Sequence, residues 1–318
     1  MKGEYCEAVK RLLSMDDILL LTHRLPDGDA VGSIFALYLA LKKTGKRVRC
    51  QTDKIPSSLK IAAIDDCGGD FEPKYVVTVD VGDRKLLGDG IDALYGGRVD
   101  LCIDHHGTNV EYAAYTLLDP SASAACEVLY DMFTSAGIDI TEDIAKELYI
   151  GIATDTGCFR YGNTTAKTMR TAAALMEKGI DSTYFNTVLF ETKSREYACF
   201  ERLALNSLTT YFDGRCALMT ITQDMYDISG LDEADDKAIN ALPRQIEGVL
   251  AGITLKEKKD GSGWRVSVRS KEPVSAAEIC IQLDGGGHRL AAGCELTGTP
   301  DEAKNALLCA AKKVLDKI

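Results

Sequence analysis

The 318-residue chain carries 37 Lys and Arg against 48 Asp and Glu, a formal net charge of −11. Its length suggests two domains, and 46% hydrophobic with 27% charged residues is ordinary globular composition, neither disordered nor fibrous. The negative charge argues against wrapping a long duplex, which needs a broad cationic face, and no apolar run approaches the roughly 18 residues of a membrane span.

The opening segment Met1-Lys2-Gly3-Glu4-Tyr5-Cys6-Glu7 lacks a signal-peptide core, so a cytoplasmic protein is expected. The 11 cysteines are scattered, without a CxxC knuckle or a disulfide framework, and read as small buried hydrophobes.

Through the first 180 residues, short β-branched runs alternate with helical patterns. The expected strands are Ile18 to Thr22, Arg47 to Thr52, Tyr75 to Val79 and Val99 to Ile103. Leu148 to Thr154 reads less cleanly, as a strand or as the end of a helix. Between them, Ala30 to Lys43 has Ile34, Leu37, Tyr38 and Leu41 at helical spacing. Such alternation predicts a mostly parallel sheet covered on both faces.

After about residue 190 the pattern changes. Residues 191–208 suit a linker helix, which divides the chain into 1–190, 191–208 and 209–318. Asp213-Gly214 and Asp260-Gly261-Ser262-Gly263 each join two strand patterns as a hairpin. Thr299-Pro300-Asp301-Glu302 announces a C-terminal helix with Thr299 as N-cap and Glu302 set for a capping box. The second half is expected to be a smaller α+β domain, so the whole is α/β with an α+β appendage.

Four apolar runs lead into ligand-type side chains: Leu21-Thr22-His23, Thr78-Val79-Asp80, Ile103-Asp104-His105-His106 and Ala153-Thr154-Asp155. In an open parallel sheet, ligands gather in the crevice at the strands' carboxyl ends. In Pro26-Asp27-Gly28-Asp29, proline and glycine disfavour a helix, so a turn is expected to aim both carboxylates at one centre. A solvated turn is the bland alternative; three similar strand endings elsewhere outweigh it. Adjacent side chains in extended backbone diverge, so His105 and His106 should have different jobs, one on metal and one on substrate.

His23, Asp27, Asp29, Asp80, His105 and Asp155 together offer four carboxylates and two imidazoles, a charge two divalent cations would neutralise. Oxygen and nitrogen donors without thiolates favour manganese or magnesium over structural zinc, leaving zinc open. Paired cations about 3.5–4 Å apart serve phosphoryl displacement, which predicts a phosphoesterase. In the second half, Gly285-Gly286-Gly287-His288 would let backbone amides approach a phosphate, with Arg269 and Ser270 at the end of a strand beside it. Asp83, Arg84, Glu127 and Arg160 are weaker site candidates, and Arg265 and Lys271 read as solvated.

His23-x3-Asp27-Gly28-Asp29, Asp80, Asp104-His105-His106, Asp155 and Gly285-Gly286-Gly287-His288, in this order, resemble the DHH phosphoesterase family. The resemblance is nearest to its short-RNA branch, the bifunctional oligoribonucleases and 3′-phosphoadenosine 5′-phosphate phosphatases. It implies two cations, with His23 and Asp27 on one, Asp29, His105 and Asp155 on the other, and Asp80 between. It also implies that Asp104 orients a histidine, that His106 meets the scissile phosphate, and that Arg269, Ser270, Gly286, Gly287 and His288 hold the substrate's far phosphate. The expected partners are short single-stranded RNA (nanoRNA, pApA) or small adenosine phosphates, with no membrane and a homodimer left open. A cyclic di-AMP phosphodiesterase and a non-catalytic nucleotide-binding regulator are the rival readings.

Overall fold

A computed structural model describes residues Lys2–Ile318, which form two compact units, 1–192 and 193–318. The first contains α1 (Lys2–Ser14), β1 (Ile18–Leu21), α2 (Gly28–Lys43), β2 (Val48–Gln51), β3 (Tyr75–Val79), α3 (Asp89–Tyr95) and β4 (Leu101–Asp104). It continues with β5 (Thr116–Leu118), α4 (Ala125–Ser135), α5 (Glu142–Asp155), α6 (Ala166–Met176) and α7 (Ser182–Asn186).

Its five strands are all parallel, in the order β2-β1-β3-β4-β5. Every residue of β1 is buried because the strand feeds two cores. Ile18 and Leu20 join the large cluster under α2, α4 and α5, while Leu19 and Leu21 pack with Val76, Val81, Leu87 and Val99. That is the two-sided burial the continuous apolar runs foretold.

One open local reading is settled and two expectations are corrected. Leu148 to Thr154 is helix: Thr141 caps α5, accepting from the Ile144 N–H, and acidic Glu142 and Asp143 occupy the first turn. Its unbroken apolarity reflects a helix buried on most sides rather than a strand, so Asp155 arrives on a helix end. The fifth strand is Thr116–Leu118, three residues too short to show a period. The Asp27-Gly28-Asp29 turn is tighter than expected, since Asp27 is already the N-cap of α2 and Asp29 sits in its first turn.

Helices α2 and α5 approach closely because glycine permits it. A Cβ on Gly32 would stand 2.4 Å from the Glu147 carbonyl oxygen. This contact sets Asp29 and Asp155 side by side.

The second unit contains α8 (Arg195–Asn206), β6 (Thr209–Tyr211), β7 (Cys216–Ile221), α9 (Gln223–Ser229), α10 (Leu242–Gln245), β8 (Ala251–Glu257) and β9 (Trp264–Ser270). It ends with α11 (Ala276–Ile281), β10 (Gly286–His288), β11 (Ala291–Leu296) and α12 (Pro300–Leu315). The sheet order is β10-β11-β9-β8-β7-β6, antiparallel except for β7 with β8. Both hairpins and the Thr299–Glu302 capping box form as expected.

The expected linker helix, α8, belongs to this unit. Its Phe200 and Ala204 are buried against Met219, Ile221 and Tyr226. The glycine triplet is not a free loop either: Gly286–His288 is an exposed edge strand paired with Ala291–Gly293.

Candidate active site

Strand ends β1, β3 and β4 place His23, Asp80 and His105 in one crevice, and α2 and α5 add Asp27, Asp29 and Asp155. The donor atoms fall into three overlapping groups that could hold a metal ion: His23, Asp27 and Asp80; Asp29, His105 and Asp155; and Asp80, His105 and His106. Asp80 joins the groups. Its Oδ2 is 3.7 Å from His23 Nε2, and its Oδ1 is 3.7 Å from His105 Nε2. Asp29 Oδ2 and Asp155 Oδ2 each lie 3.7 Å from that same His105 nitrogen.

Each side chain is aimed by a specific local contact. His23 Nδ1 bonds to the Arg24 carbonyl at 2.9 Å and His105 Nδ1 to the Ala122 carbonyl at 3.3 Å, which leaves both Nε2 atoms facing the carboxylates. Asp29 accepts the N–H groups of Ala125 and Cys126, at 2.6 and 3.0 Å, capping α4, whose own N-cap, Ala124, has no side chain to do so. Asp80 adopts a left-handed φ of 58°, a backbone state costly for a non-glycine residue and characteristic of functional sites.

The electrostatics show how crowded the negative charge is. Burial, reinforced by Asp80, Asp155 and Asp27, pushes the Asp29 carboxyl well above its ordinary range. Burial also raises Asp155 to about 6, with Asp80 and Asp27 adding to the shift and His105 opposing it. Burial would lower His23, but its hydrogen bonds to Asp27 and Asp80 prevail and lift it to about 10.

Asp80 Oδ1 is buried without a hydrogen-bond partner. An orphaned carboxylate oxygen between two imidazoles and three further carboxylates fits divalent cations, which would replace the missing partner and the lost hydration.

Asp104 points elsewhere. Fully buried, it accepts from the backbone N–H groups of His105 (2.8 Å) and His106 (3.2 Å) and from His106 Nδ1 (2.8 Å) through Oδ1, and from Asn109 Nδ2 (2.6 Å) through Oδ2. It is thus a positioning residue that shapes the two-histidine segment. His106 has a raised pKa of about 9, chiefly through that Asp104 bond, and among the described residues its Nε2 makes no hydrogen bond on a half-exposed ring. The two rings diverge as expected, tilted by 56°.

The weaker candidates have structural work. Asp83 caps the Lys85 N–H, Arg84 pairs with Asp92, and Arg160 closes its own turn on the Gly157 carbonyl. Glu127 is buried and accepts from Ser123 and Thr168. Sequence reasoning missed Asn109 and Asn163; the latter's Nδ2 donates to the carbonyls of Ser123 and Asp155. The one available signal was an asparagine in a glycine-bearing turn shortly after a candidate site residue, Gly107-Thr108-Asn109 and Gly162-Asn163.

In the second unit, one rung of the sheet aligns His288, Ala291, Arg269 and Gly252. Neighbours on a rung share a face, so Arg269 and His288 flank a floor made of alanine. Gly287, at φ 140°, lets β10 close on β11, where a Cβ would stand 2.7 Å from Ala292 Cα. Gly286 faces open space. Burial, with the nearby Arg244 guanidinium, lowers the pKa of Arg269, and neither arginine has a carboxylate partner among the described residues. Ser270 is fully buried; Oγ accepts the Ala276 N–H at 3.2 Å and lies 3.4 Å from the Arg289 carbonyl. Expected to meet a phosphate directly, it instead has no exposed surface and holds backbone segments together. Arg265 is exposed on its strand, and Lys271 is exposed just beyond it.

Residues 17–152 match the DHH family, N-terminal domain, and residues 227–317 match the DHHA1 domain. The bifunctional oligoribonuclease and PAP phosphatase NrnA of Thermus thermophilus is 31% identical over 94% of this chain and 90% of its own length. The protein of that name from Bacillus subtilis is 27% identical over 95% of this chain and 96% of its own. A crystal structure of an exopolyphosphatase-related protein from Bacteroides fragilis superimposes with a TM-score of 0.89 at 24% identity, covering 98% of this chain and 96% of that one. The shared fold, the motif order and the identity over nearly the full length make this chain a member of the DHH family of phosphoesterases, with a DHHA1 domain in its C-terminal half.

Proposed function

We propose that this protein hydrolyses phosphoester bonds in short oligoribonucleotides and in 3′-phosphoadenosine 5′-phosphate, using two divalent cations, manganese by preference. The observation that carries the reading is the Asp80 carboxylate, set between two histidine nitrogens with one buried oxygen that accepts no hydrogen bond. His23, Asp27 and Asp80 would hold one cation, and Asp29, His105, Asp155 and Asp80 the other. When bound, such cations neutralise phosphate charge and lower the pKa of an attacking water.

The chain's own groups supply the rest. Asp104 holds the Nδ1–H of His106, so the opposite ring nitrogen is free to donate a proton to a phosphate or leaving-group oxygen. In the second unit, Arg269 and His288 give a terminal phosphate two donors over a floor that no large side chain blocks. The exposed glycine Gly286 and its neighbour Gly287 keep that floor low. The T. thermophilus and B. subtilis relatives bear the name of this activity. A cytoplasmic setting accords with eleven unpaired cysteines, and no helix among the described residues is long and apolar enough to cross a membrane.

The test is a manganese-dependent hydrolysis panel: pApA, a short RNA, 3′-phosphoadenosine 5′-phosphate and cyclic di-AMP, with Asp80→Ala and Arg269→Ala. Release of AMP from the linear substrates, abolished by Asp80→Ala and weakened mainly in KM by Arg269→Ala, is the expected result. Cleavage of cyclic di-AMP alone would replace this reading with the signalling one. No hydrolysis with any divalent ion would overturn the catalytic assignment.

A further inference from the structure

The strand order β2-β1-β3-β4-β5 reverses direction between β1 and β3, and the crevice outside such a reversal is where open α/β sheets bind ligands. The metal-type cluster occupies the part of it at the ends of β1, β3 and β4. On the β1 and β2 side lies a separate cavity of about 430 Å³, formed by the segments that follow β1, β2 and β3. That volume is in the ordinary range for a small-molecule site.

Its lining is chemically mixed. Leu87, Ile91 and Leu94 give it apolar surface, and Leu94 is 65% exposed. Thr22, Gln51 and Thr52 supply hydroxyl and amide groups. The Thr22 Oγ1 is buried with no hydrogen-bond partner, and Thr22 itself is only 6% exposed. Such an orphan hydroxyl costs free energy unless a ligand or water meets it. Arg24 brings the one cation, its backbone fixed by a 2.7 Å bond from its N–H to the Leu86 carbonyl. Asp53 and Asp89 bring two carboxylates.

One guanidinium against two carboxylates disfavours a phosphate in this cavity. Apolar side chains together with hydroxyl and amide groups suit an uncharged ring with donors and acceptors on its edge. Thr22 immediately precedes His23, so a group seated here adjoins the phosphate-processing cluster.

We propose that this cavity seats the nucleoside on one side of the scissile phosphate, with Thr22 and Gln51 meeting the base edge and Leu87, Ile91 and Leu94 covering the ring. This rests on the phosphoesterase reading above and adds to it a determinant of substrate class. The cavity distinguishes nucleotide esters from simple phosphodiesters, which the metal-type cluster alone has no means to do.

The test compares pApA with bis-p-nitrophenyl phosphate, a diester without a base, on the full chain with manganese. Gln51→Ala removes an edge contact. Gly90→Trp adds a large ring at a lining position, where a Cβ meets nothing within 4 Å and the backbone accepts a side chain. Both variants should lose tenfold or more in kcat/KM for pApA, mainly through KM, while bis-p-nitrophenyl phosphate hydrolysis stays within twofold of the parent. Adenosine should inhibit the parent's hydrolysis of the small diester and not that of Gly90→Trp. Unchanged pApA kinetics in both variants, or equal loss on both esters, would overturn the proposal while leaving the phosphoesterase reading intact. A parent protein that cleaves neither ester would overturn both.

Discussion

Asp104 Oδ1 lies 2.8 Å from His106 Nδ1, and the same oxygen accepts the backbone N–H groups of both His105 and His106. One buried carboxylate therefore sets the backbone, the ring orientation and the charge preference of the two-histidine segment at once.

Asp104→Asn should uncouple these roles. The carboxylate beside it raises His106 to about 9, and His106 with Asn109 outweighs burial to keep Asp104 below its ordinary range. A raised histidine lends stability that is complete below about 6.5 and is lost as pH climbs through about 9. A lowered carboxyl lends stability that is present above about 3.8 and is lost as pH falls through its depressed value. In the variant, an NMR titration should find His106 moved down toward 6.5, with activity reduced about 10–100-fold. An unmoved His106 titration would refute the assignment.

Asp80→Asn keeps the side chain's size and removes the charge between the two imidazoles. Hydrolysis should fall by about 10²-fold or more, and calorimetric titration with manganese should show weaker binding and lower stoichiometry. Parent-like manganese binding would mean that Asp80 does not bridge the cluster.

Gly32→Ala tests whether the site depends on helix spacing. Its Cβ would collide with the Glu147 carbonyl, a backbone atom that cannot swing away. We expect a loss of about 1–3 kcal/mol in chemical denaturation, accompanied by lower activity as Asp29 and Asp155 separate. Gly162→Ala, where a Cβ meets nothing within 4 Å, is the control and should stay within about 0.5 kcal/mol.

Glu147 offers a pH test away from the crevice. Burial pushes its carboxyl up to about 8, although Lys146 lies 2.9 Å away. Above about 4.5 the unfolded chain has released this proton while the folded chain still holds it. Stability therefore declines as pH rises from about 4.5 to about 8, then levels, by on the order of 1 kcal/mol per pH unit at most. Glu147→Gln should match the parent's Tm near pH 5 and exceed it at pH 8. Parallel Tm profiles across that range would exclude the effect.

The convergence of the strand-end side chains was legible because a buried parallel strand announces itself as an unbroken apolar run and the polar residue after it has few places to go. His23, Asp80 and His105 all follow that logic. Asp155 was legible as a motif but not as a position, since a helix buried on most sides hides its period and mimics a strand. Asn109, Asn163 and the Ser123–Glu127 clamp were not legible, because each acts through hydrogen bonds to partners that only the fold brings near. The cavity beside Thr22 was hidden for the same reason: its three walls come from segments about thirty residues apart along the chain. In the second half, Arg269 and His288 were readable by type, while the rung that aligns them depends on a register that no single segment encodes.

Carrying Asp155 on the last residue of α5 gives the crevice an electric field as well as a carboxylate. A helix ends in a partial negative charge equivalent to about half an electron, and α5 ends at the cluster, whereas α4 presents its positive end to Asp29. The two helices thus draw charge in opposite senses across a few ångströms: one steadies the carboxylate, the other attracts what the carboxylate is to hold. Changing the length of either helix at these ends should shift cation affinity even with every ligand in place.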